Sequence, residues 1–473
     1  MEIRPNAPAH TWALASREHK PYPAVVDGEA GERAVLLVKD WEHGPERVVP
    51  RSSWRFAREA DQTGSAGEIV FSGPVVPSKE HIYLETGFVP GLCYNFIYTA
   101  EAAVLSSAGL LALRDAASWL RSPSELNPLA SPARFLYGYG SSQTGRMLRH
   151  YLHLNLNTDE SGERAYDGLN PNVAGARFGE FNHRFAQPSQ GAWPTPSFGR
   201  VRPFTTADIM EGLEHPPRCI FTNTAAEYWR GDASLAHLSL PARAGDPAGG
   251  EDLPDPEGTR SYLFAGTQHG PNHSAAAPTP TLDGIPGDGG FVGAAPSCVL
   301  DYTPLLRAQL MNLVAWVEDG VEPPPSVHPR LSDGTAQDRA DVLRSFPVVN
   351  GFRTPAPERL WMTREIDLGP QQDIGVGSYP PPEGDVIHCA VSALDADGNE
   401  LGGVRLPDLE APVGTHAGWN PRHAGTSAPE QIIPMTGSSF YLAPTATERC
   451  ADDGRAALSE RYADADQYAA IVR

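Results

Sequence analysis

The sequence predicts an α/β fold, a mostly parallel sheet with helices on both faces, and three observations predict it. Between about residues 101 and 330, short apolar runs of strand character alternate with amphipathic helical stretches. The first of those strands ends in a tight Gly/Ser turn that leads straight into a helix. Two later strands end where polar and titratable residues begin, and the C-terminal ends of strands are where open α/β sheets place their chemistry. A chain of 473 residues has ample capacity for a large core. Its 40% apolar content, with 46 Gly and 46 Pro, describes a folded but loop-rich protein.

Taken in order, residues 1–100 read as a β-rich N-terminal segment, with β runs at 34–38, 68–71, 82–84 and 93–98 and no helical period. Over 109–121, Leu110, Leu113, Ala117 and Leu120 form one stripe that Ser122-Pro123 terminates, which predicts an amphipathic helix. A strand is expected over 134–139. A helix follows over 143–154, with Met147, Leu148, Tyr151 and Leu152 at helical spacing, so the pair is a βα unit. Residues 173–176 are a short apolar run. Residues 177–217, rich in Phe, Pro, Asn and Gly without a period, read as a lid-like insertion. Further strands are expected at 218–223 and 261–266. Asp301 or Thr303 is expected to cap a helix that has Pro304 near its start and an apolar face of Leu306, Leu310, Leu313, Val314 and Val317. The α/β core thus spans 101–330. Residues 331–473 lack the alternation and are expected to wrap the core as an irregular extension, with a β run at 386–391, a turn at Asp397-Gly398-Asn399 and a helical tail near 456–472. No internal repeat is present.

The formal charge of −21, without any basic run, argues against nucleic acid and anionic membrane surfaces as partners. Five widely spaced cysteines make no zinc-ligand pattern and read as buried thiols in a reducing compartment. With neither a signal-peptide core near Met1 nor a bilayer-spanning apolar stretch, the expected location is the cytoplasm.

The central motif is Gly140-Ser141-Ser142-Gln143-Thr144-Gly145, set between the strand and the helix of the βα unit. Small residues at 140 and 144 flank Ser142 by two on each side. A nucleophile on so tight a turn sits in strained backbone, and large neighbours would collide with adjacent strands. The turn also presents the Gln143 N–H and the helix N-terminus to a developing oxyanion. An ordinary Ser/Gly turn has the same composition, so the motif gains its weight from the strand–turn–helix context.

A hydroxyl nucleophile needs a base, and in α/β-hydrolase-like sheets the chain order is nucleophile, acid, histidine. After 218–223 comes TAAEYWRGD, which offers Glu227 and Asp232; after 261–266 comes Thr267-Gln268-His269-Gly270. Glu227 lies closer to its strand end and is the preferred acid, with Asp232 in reserve. Taken singly, His269 reads equally as a loop residue and Glu227 as a partner for Arg230. Three residue types in the correct order, each just beyond a strand, are a far less common coincidence.

Other features point less far. His269 and His273 are spaced i, i+4, but Pro271 breaks the helix that would align them as ligands, so neither metal nor cofactor is expected. Asp395 to Asn399 resembles the start of a calcium loop but lacks its closing Glu, which favours a hairpin turn. Arg146 and Arg149 offer charge to an acidic substrate, or buried partners to Asp and Glu. Trp229, Trp361 and Trp419 offer pocket walls, with aromatic core packing as the competing reading.

The run GYGSSQTGRMLRHYLHLNLNTDESGERAYDGLNPNVAGARFGEFNHRFAQPS resembles the core signature of a bacterial family of "α/β hydrolase domain" proteins. The segments NTAAEYWRGDASL, GTQHGP and GNELGGVRLPDLEAPVGTHAGWNPR follow in the family's order, and the likeness extends from about Pro21 to the end. The resemblance implies Ser142 as nucleophile, Glu227 as acid and His269 as base, acting on an ester or related acyl bond of a small molecule. It also implies one departure. Family members carry a further N-terminal region with early core strands and an Asn-Arg-Gly-like loop that completes the oxyanion hole, and residues 1–100 hold no counterpart. On that reading the chain starts late, the hole is rebuilt from other groups, or catalysis is weak; an open sheet edge would then be covered by a second copy or a partner chain. Three functions follow as rivals: ester hydrolysis, acyl transfer or lactone formation on the same residues, and a non-catalytic binding or scaffold role.

Overall fold

The computed structural model describes all residues except 6, 16–20, 42, 64–68, 103–107, 178–203, 240–249, 272–291, 350–351, 368, 372–381, 434 and 473. Strands β1 (Tyr137–Ser141), β2 (Gly168–Asn172), β3 (Arg218–Thr224) and β4 (Thr259–Phe264) form a four-stranded sheet in sequential order, every pair parallel. The helices α1 (Ala108–Arg121), α2 (Gln143–His153), α3 (Ala225–Trp229) and α4 (Thr303–Asp319) accompany it. Alternation along β3 sorts them onto two faces. Cys219 and Phe221 point into a cluster with Leu148, Tyr151 and Leu152 of α2, whereas Ile220 joins Leu313 and Trp316 of α4. Leu110 and Ala117, both in the predicted stripe, are the buried residues of α1.

One strand was not foreseen. The apolar run 173–176 lies just past β2, whose sequence Gly-Leu-Asn-Pro-Asn has no strand propensity. It is buried throughout because β1 and β3 flank it. Its register with β3 is interrupted at Asn170 and Pro171, and there the Asn170 side-chain amide donates to the Ile220 carbonyl at 2.5 Å. A proline is tolerated in this interior strand because side chains take over where its ladder lapses. The opposite edge of β1 pairs with no strand among the described residues, and Tyr139 there is 49% exposed.

The cap of α4 also differs from expectation. Tyr302 occupies the N-cap position, while the Asp301 carboxylate accepts the Thr303 N–H at 2.9 Å. Gly320 ends the helix in the left-handed region at φ 70°.

Before residue 100 the chain is β-rich, with antiparallel strands that include Ala9–Ala13, Val35–Lys39, His81–Phe88 and Cys93–Ile97 around Leu36, Trp54, Ile82 and Phe96. Of the run expected at 68–71, Glu68 lies outside the described residues and a strand starts at Ile69. This segment meets the C-terminal part of the chain: Gln431 Nε2 donates to the Asp40 carbonyl at 3.2 Å, and Arg359 stacks over Trp41.

Beyond residue 330 the chain contributes Val342, Leu343, Phe346, Val391, Trp419 and Phe440 to one cluster with Tyr228, Trp229 and Leu263. Single parallel bridges from Tyr262 to Val327 and from Phe264 to Val404 line the outer edge of β4. The strand expected over 386–391 is split between Glu383–Ile387 and Ala390–Ser392, and the tail forms two helices, Leu458–Arg461 and Ala465–Val472. Asp395 to Asn399 turn as a hairpin, and Asp395 and Asp397 pair with Arg405 and Arg461. Four cysteines are buried and Cys450 is half-buried, which departs from the expectation of five buried thiols. Among the described residues no helix is long and apolar enough to cross a membrane.

Candidate active site

Ser142 sits where β1 turns into α2, at φ 58° and ψ −118°. A non-glycine residue there is strained, and neighbouring backbone holds it. The Ser142 N–H donates to the Asn172 carbonyl at 2.9 Å, and its own carbonyl receives the Arg146 N–H at 2.9 Å. The steric demand of the turn falls on glycines 140 and 145 rather than on 140 and 144. A Cβ on Gly140 would lie 2.5 Å from the Thr144 carbonyl oxygen, and one on Gly145 would lie 2.5 Å from that of Asn172. Thr144 acts differently, as its hydroxyl accepts the Ser141 N–H at 2.8 Å and closes the turn. Gln143 opens α2, so its N–H lies at the positive end of the helix beside Ser142.

His269 follows β4 in a short loop, and its Nε2 stands 2.9 Å from Ser142 Oγ. Its Nδ1 lies 2.5 Å from Glu227 Oε1. Glu227 is the third residue of α3, and its other oxygen accepts the N–H of Thr224 at 2.9 Å and the Thr224 hydroxyl. A Thr-x-x-Glu capping arrangement thus aims the carboxylate; this short signal was present in the sequence and unused. Burial works to raise the Glu227 pKa, but the charge and hydrogen bond of His269, with Arg230 and Thr224, outweigh it and hold the group down at about 2. The acid side chain is 1% exposed and the histidine 13%, so water reaches the ring edge but not the carboxylate.

The other residues singled out in the sequence go elsewhere. Asp232 is buried against Arg230 and Arg177, 3.4 and 3.8 Å away, rather than against His269. Arg149 turns inward: its guanidinium donates to the Phe204 carbonyl at 2.6 Å and lies over Phe204 and Phe221, and burial lowers its pKa to about 10. Arg146 is buried too. Trp229 and Trp419, expected as pocket walls, pack edge to face at 5.8 Å within the core cluster that also takes Trp361. Both are almost fully buried, so the structure places them in core packing rather than on a pocket wall. His273 and most of the insertion at 177–217 lie outside the described residues; no group of three potential metal ligands occurs among those described.

Sequence reasoning missed what holds the His269 loop. The His269 N–H donates to the Met435 carbonyl at 3.2 Å, the Gly437 N–H to Gln268 Oε1 at 3.2 Å, and the Tyr302 hydroxyl to the His269 carbonyl at 2.5 Å. Glu400 Oε2 accepts the Gly266 N–H at 2.8 Å. None of these groups carries a local signal, because each lies some 30 to 170 positions away along the chain.

A strained serine between strand and helix, followed along a parallel sheet by a carboxylate and a histidine at later strand ends, is the arrangement of the α/β-hydrolase fold. The chain belongs to the family described as "Alpha/beta hydrolase domain", whose model matches residues 106–473. The match begins well after Pro21, so the N-terminal β-rich segment lies outside it. No curated protein and no solved structure matches the chain.

Proposed function

We propose that the protein is a serine hydrolase that cleaves a carboxylic ester or a related acyl bond through an acyl-enzyme on Ser142. The observation that carries this reading is the continuous contact from Ser142 Oγ through both ring nitrogens of His269 to Glu227. In the proposed cycle His269 Nε2 takes the Ser142 proton as Oγ attacks the acyl carbon, and Glu227 stabilises the imidazolium through Nδ1–H. The Gln143 N–H and the α2 dipole meet the oxyanion. Collapse of the tetrahedral intermediate transfers the proton to the departing alcohol. Water then gives its proton to His269 and attacks the acyl carbon, which releases the acid and restores Ser142.

Labelling with a fluorophosphonate followed by intact mass tests the reading. The wild type is expected to gain one adduct that is absent from Ser142→Ala. A folded wild type that takes no adduct would overturn the proposal in favour of a non-catalytic role.

A further inference from the structure

We infer that Tyr302 is a positioning residue for the base, holding His269 at the distance from Ser142 that proton transfer requires; the inference rests on the hydrolase reading above. Tyr302 Oη donates to the His269 carbonyl at 2.5 Å, a shorter contact than the 3.2 Å bond from the His269 N–H to Met435. On the nucleophile's side the corresponding anchor is Asn172, at the end of β2. Asn172 is itself fixed, because its Oδ1 accepts from the Thr222 hydroxyl at 2.7 Å and its Nδ2 donates to Ser141 Oγ at 3.1 Å. Its backbone carbonyl takes the Ser142 N–H at 2.9 Å. The nucleophile's backbone is thus pinned by Asn172 and the base's backbone by Tyr302, on either side of the direct Oγ–Nε2 contact.

The pinning matters because the base stands on a loop. Gly266, three residues before His269, adopts φ 68°, and the ring's position depends on where the loop backbone is pinned. The Tyr302 ring is 1% exposed and packs at 5.3 Å against Phe264, the last residue of β4, so its hydroxyl has a defined location. Tyr302 bonds to the His269 backbone rather than to its ring, so its effect passes through His269.

The test measures saturable fluorophosphonate labelling of Ser142 on the full chain, with melting temperatures taken alongside. Tyr302→Phe is expected to lower the maximal labelling rate roughly tenfold, with the half-saturating probe concentration unchanged within about twofold. Phe264→Leu, which removes the ring that locates the Tyr302 hydroxyl, is expected to move the rate in the same direction by a smaller factor; it decides the matter if Tyr302→Phe does not fold. Maximal rates within about twofold of wild type in the folded variants would overturn the role of Tyr302, as would a change confined to half-saturation. An unlabelled wild type is a separate outcome, which removes the hydrolase reading and this inference with it.

Discussion

Ser142 is strained because the residues around it leave no alternative, and Gly145 shows this most directly. An added Cβ at Gly145 would fall 2.5 Å from the Asn172 carbonyl oxygen and 3.0 Å from that of Gly140, both backbone atoms with no rotamer to escape through. Gly145→Ala is therefore expected to cost more than about 2 kcal/mol in chemical denaturation and to reduce Ser142 labelling. A second single-residue prediction concerns Glu400. Burial raises its carboxyl pKa from 4.5 to about 7, while Gly266, Trp229 and Arg405 pull the other way without offsetting it. The folded state thus binds a proton that the unfolded chain has released. This contribution is present below about pH 4.5 and is lost as pH rises to about 7. Buried His416, lowered by desolvation to about 4, has the opposite slope between pH 4 and 6.5, so the informative quantity is a difference. Relative to Glu400→Gln, the wild type is expected to lose on the order of 3 kcal/mol of stability between pH 4.5 and 8. Denaturation curves at the two pH values check it; parallel behaviour of the two proteins would contradict it.

The α3 helix is too short to be held by its own hydrogen bonds, and a capping pair replaces that cooperativity. Thr224 and Glu227 do so while directing the second carboxylate oxygen at His269. Thr224→Val is expected to cost about 1 kcal/mol as a lost cap and to lower turnover of an activated ester severalfold, with Thr224→Ser restoring both. A Val variant with wild-type turnover would show that the carboxylate needs no such guide. Elements with one buried stripe, α1 and α2, were legible because burial leaves a period in the sequence. Strand β2 was not, since its Asn and Pro residues draw their stability from β1, β3 and the side chains of the sheet. The N-cap of α4 was misassigned for a related reason: Tyr302 is fixed by Phe264 and His269 rather than by capping chemistry.

Over the whole molecule, residues beyond 330 are part of the apparatus that holds the site. Trp419 packs against Trp229, Phe346 and Phe352 in a cluster shared with α3 and β4. Trp419→Ala is expected to cost about 3–5 kcal/mol by cavity formation and to leave the half-saturating probe concentration of any folded fraction unchanged. A selective rise in that concentration at intact stability would restore Trp419 as a substrate contact. What the sequence determined by itself was the α/β alternation, the turn at Ser142 and the order of serine, acid and histidine with Glu227 and Asp232 both on offer, because each is written in a period or a spacing of a few residues. Only the tertiary structure decided which acid meets the histidine, what the buried arginines and tryptophans touch, and how Tyr302, Glu400, Met435 and Gly437 hold the loop of the base. Those choices depend on contacts between segments far apart in the chain, and such contacts leave no local pattern to read.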